Sequence, residues 1–222
     1  MNVTVYGDSI LKGVVLEEGK YVVAREWEQR LAERFGLRIQ NRSRFGSTIQ
    51  KAMSRIEKDS QTPCAEPEYA LLEFGGNDCD YDWAAIAAAP EEAHDCKTPP
   101  EQFLDCYRRA VALLRGSGRT PVLATLPPIN AERYLRFLCR DGLSRENIVR
   151  WLGDVEHIYR WQELYSQLVE QLAREEKTPL VDLRLPFLRD TRAPETLLCA
   201  DGIHPSRSGQ DLIYRAFCAA MP

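Results

Sequence analysis

Several features that would place this chain in a particular class of protein are missing from its sequence. The longest apolar runs fall far short of the roughly 20 residues that cross a bilayer. No basic or apolar leader precedes the first predicted strand, so we expect the mature chain to begin at Met1 and to stay in the cytoplasm. A net charge of −4 gives no electrostatic reason to expect a nucleic acid or a membrane as a partner.

Patterns typical of phosphate, metal and disulfide sites are missing as well. The sequence contains neither a P-loop nor a GxGxxG motif, which disfavours a nucleotide- or phosphate-binding module. Its 7 cysteines are odd in number and have no CxxC spacing, so we expect reduced, mostly buried thiols. A zinc site at Cys79, His94 and Cys96 would match no common ligand spacing. We therefore expect no metal and no cofactor.

The sequence does contain a regular alternation of short apolar runs and longer amphipathic segments. Strands are predicted at 2–6, 37–41, 69–74, 121–126 and 179–183, and helices at 23–35, 47–58, 100–115, 158–176 and 207–220. Several strands are apolar on both faces, as parallel strands covered on both sides are. The 222 residues therefore predict one α/β domain, a three-layer sandwich around a parallel sheet.

One segment, at about 129–157, does not fit the alternation. It is long for a strand-to-helix link and has its own helical patterns at 131–139 and 144–152. Aromatic residues are concentrated in and beside it: Tyr134, Trp151, Tyr159, Trp161 and Tyr165. Such a helical insertion could be a lid, a wall of a binding site, a contact between copies of the chain in a homo-oligomer, or an extension packed on the body.

Ser9 follows the first predicted strand, directly after Gly7 and Asp8. Ligands of parallel α/β sheets bind outside the carboxyl ends of the strands. We expect Ser9 to begin a helix that continues through Leu11, where backbone N–H groups and the helix dipole would stabilise negative charge. Because Gly-Asp-Ser also occurs in turns and helix caps, Ser9 alone is either a nucleophile or a turn residue.

Asp201 and His204 lie three residues apart, just before Pro205 and the last predicted helix. A carboxylate that accepts the second N–H of an imidazole fixes its tautomer and stabilises its cationic form. Together with a serine, these side chains are the set that acyl transfer requires. The alternative is a structural loop histidine, with His94 or His157 as the base instead.

Two further loops follow the second and third predicted strands, at 41–48 and 75–78. Both should lie at the same edge of the sheet as Ser9. Each contains glycine, whose backbone N–H can approach a ligand closely, and asparagine, whose side chain is an uncharged donor. One such donor typically contributes about 3 kcal/mol to stabilising a transition-state oxyanion. Taken separately, both are also compatible with ordinary loops.

Four blocks thus occur in order over nearly the whole chain: residues 7–10 (GDSI), 41–48 (NRSRFGST), 75–78 (GGND) and 201–205 (DGIHP). In this order and spacing they resemble the SGNH, or GDSL-type, serine hydrolases. The resemblance implies a flavodoxin-like sheet of five parallel strands, with the helical insertion after the fourth, and hydrolysis of carboxylic esters without a metal. The bulky Arg44-Phe45 before Gly46 and the insertion depart from the family pattern, and both bear on the substrate.

The resemblance also implies the role of each site residue. Ser9 would be the nucleophile, His204 the general base and acid, and Asp201 the group that orients His204. The backbone N–H groups of Ser9 and Gly46 and the side chain of Asn77 would form the oxyanion hole.

Residues next to these blocks have less specific roles. We expect Asp8 to order the first turn and Asp78 to stabilise its own loop. Tyr81 and Trp83 could stack on a sugar ring, narrow the acyl pocket, or pack against the insertion. An acidic chain with an aromatic rim favours a small-molecule or carbohydrate ester with a short acyl group. A lipase or thioesterase, or a non-catalytic flavodoxin-like ligand-binding protein, are the alternatives.

Overall fold

The computed structural model describes residues 1–221, except for the side chains at 194 and 195. Its strands are β1 (Asn2–Gly7), β2 (Val14–Glu17), β3 (Lys20–Val23), β4 (Arg38–Asn41), β5 (Glu68–Glu73), β6 (Thr120–Ala124) and β7 (Leu180–Val181). Five of them form one parallel sheet in the order β4-β1-β5-β6-β7. The predicted three-layer α/β fold with a five-stranded parallel sheet is confirmed.

Helices cover both faces of this sheet. They are α1 (Glu26–Phe35), α2 (Ile49–Ser60), α3 (Trp83–Ala88), α4 (Pro100–Gly116), α5 (Ala131–Leu138), α6 (Arg145–Leu152), α7 (His157–Glu175), α8 (Arg184–Arg189), α9 (Pro194–Leu197) and α10 (Arg207–Ala220). None of the helices in the described part of the chain is long and apolar enough to cross a membrane.

Alternate residues of the central strands belong to two separate hydrophobic cores. Tyr6 of β1 and Leu72 of β5 pack with α2, α4 and α7 on one face of the sheet. Val5 and Leu71, their neighbours along the same strands, pack with α1 and α10 on the other face. This is the physical reason for the continuous apolar runs in the sequence, because a parallel strand covered on both sides buries every side chain.

The segment after Ser9 differs from the prediction. No helix starts there: a turn leads into an antiparallel hairpin of β2 and β3, and α1 begins only at Glu26. Val14, Val15 and Val22 are β-branched residues, which favour strands. The two hairpin turn residues, Glu18 and Gly19, both have positive φ, as a type I′ turn requires. The prediction that a helix begins at Ser9 and that its dipole acts there is therefore wrong.

The helical insertion lies where the sequence places it, directly after the fourth strand of the sheet. α5 and α6 begin at residues whose side chains accept from the helix backbone, Asn130 from Arg133 and Ser144 from Asn147. Leu135 and Ile148 are fully buried in the same core as α4 and α7. The insertion is thus packed on the body of the protein.

Candidate active site

A cavity of about 460 Å³ opens at the carboxyl ends of the sheet strands. Three loops line it, those that follow β1, β4 and β5, together with the loop before α10. Ser9, Gly46, Asn77 and His204 all line this cavity, although they are far apart in sequence. The topology explains this convergence, because parallel strands end at the same edge.

Ser9, His204 and Asp201 form a continuous hydrogen-bonded chain. His204 Nδ1 lies 2.7 Å from Asp201 Oδ2, and His204 Nε2 lies 2.9 Å from Ser9 Oγ. With the Nδ1 proton donated to Asp201, neutral His204 has Nε2 free to accept the Ser9 proton. All three residues are buried. The arrangement can therefore activate a hydroxyl as a nucleophile.

Asp201 is stabilised as a carboxylate inside the protein. Burial opposes its ionisation, but the hydrogen bond and charge of His204 outweigh burial and lower the pKa of Asp201. The backbone N–H groups of Ile203 and His204 also donate to Asp201 Oδ1, each at 3.1 Å. A carboxylate held by several donors keeps its orientation and hence that of the imidazole.

The loop that presents Asp201 and His204 is attached to the insertion. Gly202 has φ +76°, and a Cβ there would lie 2.8 Å from the carbonyl oxygen of Asn130. The Asn130 N–H donates to the Gly202 carbonyl oxygen at 2.8 Å. Only glycine fits this backbone conformation and this close approach without strain. The aspartate–histidine loop and the start of α5 are thus one packed unit.

Two aromatic side chains flank His204. Phe45 was named in the sequence analysis only as a departure that bears on the substrate, and Tyr21 was missed. The ring of Tyr21, on the β2–β3 hairpin, lies 5.2 Å from the imidazole, and the ring of Phe45 stacks on it at 5.8 Å. The Tyr21 hydroxyl also donates to Asp201 Oδ2 at 3.2 Å. Burial and the charge of Asp201 raise the pKa of Tyr21 to about 12, so the hydroxyl remains a donor at neutral pH. Nothing in the sequence signals this contact across 180 residues.

The residues predicted to hold an oxyanion line the cavity beside Ser9. Gly46 has φ +67°, a conformation that glycine adopts without a steric cost. Asn77 Nδ2 donates to Asp8 Oδ2 at 2.9 Å, which leaves its second N–H available. Asp8 also accepts from the Ile10 N–H at 2.8 Å, so it orders the turn after β1 and contacts Asn77 as well.

Comparison with known proteins identifies the family of this chain. The family model described as the GDSL-like lipase/acylhydrolase family matches residues 5–212. The chain belongs to this family. It is therefore a carboxylic ester hydrolase, as the sequence analysis predicts. No curated protein sequence matches the chain.

Solved structures of other proteins have the same fold at low sequence identity. An acetylxylan esterase from Geobacillus stearothermophilus is 20% identical with a TM-score of 0.67, over 99% of this chain and 93% of that chain. A lipase/acylhydrolase from Enterococcus faecalis is 17% identical with a TM-score of 0.64, over 98% and 93%. TesA is 20% identical with a TM-score of 0.62, over 99% and 97%. At these identities the likeness shows the fold alone.

The other histidines of this GDSL-like chain lie elsewhere. His94 Nε2 is 2.8 Å from the carbonyl oxygen of Ala89, and the His157 ring stacks on Trp161. Neither histidine lines the cavity. Burial lowers the pKa of His157.

The cysteines considered as zinc ligands have other contacts. Cys79 Sγ lies 3.4 Å from the Gly76 carbonyl oxygen, and Cys96 Sγ lies 3.1 Å from the Tyr165 hydroxyl. The 7 cysteines are all described and all free thiols. Within residues 1–221, no three or more His, Cys, Asp or Glu side chains are grouped as metal ligands would be.

The inner wall of the cavity is aromatic and belongs partly to the insertion. Tyr81 and Trp83 are buried, and the Tyr81 ring lies 4.9 Å from that of Trp151. The Trp83 N–H and the Tyr134 hydroxyl both donate to Asp80 Oδ1, at 2.8 and 3.0 Å. Because the polar atoms of Trp83 and Tyr134 are already paired, these two rings present apolar surface to the cavity. Tyr81 and Trp83 pack against the insertion and line the site at the same time.

Proposed function

We propose that this GDSL-family enzyme cleaves esters through an acyl-enzyme on Ser9, with His204 as base and Asp201 as its orienting partner. The observation that carries the proposal is the hydrogen-bonded chain from Asp201 through His204 to the Ser9 hydroxyl, with bonds of 2.7 and 2.9 Å. A serine hydroxyl is a weak nucleophile until an adjacent base takes its proton, and this geometry supports that transfer.

The reaction follows from these contacts. His204 Nε2 takes the Ser9 proton as the serine oxygen attacks the ester carbonyl carbon. Asp201 then faces an imidazolium rather than a neutral ring, and its negative charge stabilises the cation. His204 returns the proton to the leaving alcohol, which departs. Water, deprotonated by the same His204, hydrolyses the acyl-enzyme and frees Ser9.

The negative charge that develops on the ester carbonyl oxygen requires hydrogen-bond donors on the side of Ser9 that is opposite His204. We assign this role to the backbone N–H groups of Ser9 and Gly46 and to the side-chain N–H of Asn77. All three residues line the cavity, and each has an uncharged N–H group that stabilises an oxyanion by a hydrogen bond without transferring its proton. Removing the Asn77 donor should lower kcat by about 10²- to 10³-fold.

The cavity supports a short acyl group on an alcohol that contains a ring. His204 must protonate the leaving alcohol, so the alcohol lies on the His204 side of the site. There Phe45 is 52% and Tyr21 44% exposed, which leaves ring surface free to stack on a sugar. Trp83 and Tyr81 are 7% and 8% exposed and enclose the other side, which limits the acyl group. Acetyl esters of carbohydrates fit both sides, and an acetylxylan esterase has the same fold.

A longer-chain acyl hydrolase or thioesterase is the second candidate. The inner part of the cavity includes Leu126, Ile158 and Trp161, whose apolar surface would suit an alkyl chain. The hydrolytic activity would then increase with the length of the acyl chain, whereas the first candidate requires the activity to decrease.

One experiment separates these proposals. Hydrolysis of esters and thioesters is measured with the acyl group varied from acetyl to long-chain, and with alcohols that have or lack a sugar ring. Ser9→Ala should abolish turnover and labelling by a fluorophosphonate probe, and full activity in that variant would refute the assignment. A wild-type protein that is neither labelled by the probe nor active on any ester would favour a ligand-binding protein. His204→Ala should be inactive, with His157→Ala as the matched control that remains active.

A further inference from the structure

A buried pair of carboxyl groups lies behind the proposed oxyanion hole. Glu73 is the last residue of β5 and its side chain has no exposed surface. Its strand neighbour in the sheet is Gly7, which precedes Asp8, so the buried carboxyl groups of Glu73 and Asp8 are close neighbours. Among the described residues, neither oxygen of Glu73 has a hydrogen-bond partner unless the two carboxyls share a proton. Asp8 is 1% exposed.

A carboxyl–carboxyl hydrogen bond requires a proton, and the surroundings place that proton on Glu73. Two adjacent buried carboxylates do not both ionise, since their repulsion and desolvation are too costly. Asp8 accepts from the Ile10 N–H at 2.8 Å and from Asn77 Nδ2 at 2.9 Å, so its anion is the better solvated of the two. Burial and then the charge of Asp8 raise the pKa of Glu73 well above its usual range.

The other titratable groups near the pair favour the same distribution of charge. Asp78 lies close enough to disfavour a second negative charge on Glu73. The buried phenol of Tyr107, on α4, also faces this carboxyl, and burial raises its pKa so that it remains neutral. Burial raises the pKa of Asp8 as well, but the hydrogen bonds from Ile10 and Asn77 oppose that shift, and Glu73 has no such donors.

The charge on Asp8 decides which end of the Asn77 amide faces it. The oxygen and nitrogen ends of an amide have nearly the same shape but opposite hydrogen-bonding character. An anion accepts only from the nitrogen, which fixes Nδ2 toward Asp8 and leaves the second N–H for the cavity. A neutral Asp8 could instead donate its proton to Asn77 Oδ1. The oxygen of the Asn77 amide, rather than its nitrogen, could then face Asp8.

We propose that Glu73 is a positioning residue for the oxyanion hole, because its neutral carboxyl donates to Asp8 and so maintains the anion that orients the Asn77 amide. The inference rests on the proposed function of Asn77 as an oxyanion donor. The proton that we assign to the Glu73 carboxyl stays there throughout and takes no part in the proton transfers of the reaction.

Two Glu73 variants test this role by kinetics. Glu73→Leu removes the donor to Asp8 and should lower kcat by about 10- to 50-fold with little change in KM, a smaller loss than deleting an oxyanion donor outright. Glu73→Gln keeps a neutral side chain with an N–H donor and should restore kcat to within about threefold of the wild type. Gln210→Leu, at a buried polar side chain of α10 without a partner, controls for the effect on stability alone.

The proton itself is tested by infrared difference spectroscopy at pH 8 on the wild-type enzyme. A neutral carboxylic acid carbonyl band should be present and should disappear in Glu73→Gln, whose amide donates to an Asp8 that remains ionised. Absence of the band in the wild type would overturn the inference, as would a Glu73→Leu enzyme with wild-type kcat or a Glu73→Gln enzyme as slow as Glu73→Leu. If Glu73→Leu does not fold, the infrared band and the Glu73→Gln kinetics decide. Failure of the proposed function is a separate result, seen as activity that persists in Ser9→Ala.

Discussion

Replacing Asp78 by asparagine should change how the stability of this protein depends on pH. Asp78 is fully buried beside the active-site loop, and its carboxyl accepts from the N–H of Ile49, the first residue of α2, at 3.1 Å. The sequence predicts that Asp78 stabilises its own loop, and the contact of its carboxyl in the structure is with the start of α2. Burial raises the pKa of Asp78 from 3.8 to about 7, although the hydrogen bond from the Ile49 N–H partly opposes the shift.

The size of the effect follows from this pKa difference. A group whose pKa is higher in the folded state binds its proton more tightly there, so its contribution is fully present below about pH 4 and is lost as the pH rises to about 7. A shift of about three units corresponds to roughly 4 kcal/mol. Asparagine has no proton to lose and keeps an oxygen acceptor for Ile49. The stability of Asp78→Asn relative to the wild type should therefore increase by about 4 kcal/mol between pH 4 and pH 8.

The measurement is urea unfolding of both proteins at several pH values across this range. For a chain of this length, the change corresponds to a relative increase in Tm of about 8 to 16 °C. Asp105→Asn, which removes a carboxylate that is 80% exposed on α4, is the matched control. A difference between Asp78→Asn and the wild type that stays constant with pH would refute the reasoning, because Asp78 would then titrate alike in both states.

Three further substitutions test contacts around His204. Asp201→Asn should lower kcat by about 10³- to 10⁴-fold, because the amide no longer fixes the productive tautomer; a loss under tenfold in steady-state kinetics would contradict the geometry. Tyr21→Phe removes only the hydroxyl that donates to Asp201 and should reduce kcat/KM about fivefold, and an unchanged value would show that the contact is not used. Gly202→Ala should lower the unfolding free energy by at least about 2 kcal/mol, from positive φ and backbone overlap with Asn130. Thermal unfolding measures it, and a wild-type Tm would contradict the close approach.

Local sequence patterns are sufficient to predict most of the sheet and the position of the candidate site at the strand ends. Each predicted sheet strand is present, because two-sided burial makes the strands apolar throughout. The predicted insertion helices at 131–139 and 144–152 match α5 and α6 to within one residue, since Asn130 and Ser144 cap them and glycines follow them. Residues from opposite ends of the chain meet because the strand ends share one edge.

Features that depend on long-range contacts could not be predicted in this way. The last strand was predicted at 179–183 but ends at Val181, because the Asp182 carboxyl accepts from the N–H groups of Arg184 and Leu185 and starts α8. Tyr21 meets Asp201 only through the hairpin, whose valines were not recognised as strands. The sequence also gives no sign that Glu73 lies beside Asp8, because a glutamate at the end of a strand is usually exposed to solvent.

The bond between the insertion and the aspartate–histidine loop has a consequence for how this enzyme can change its substrate. The Asn130 N–H holds the Gly202 carbonyl, and the absence of a Cβ at Gly202 allows α5 to lie against the loop. The segment that forms part of the cavity wall is thus also a support for His204. A chimera that exchanges 129–157 for the corresponding segment of another esterase would displace the proposed general base along with this wall. New specificity on this scaffold should therefore come more readily from single residues facing the cavity, such as Phe137, than from replacement of the whole insertion.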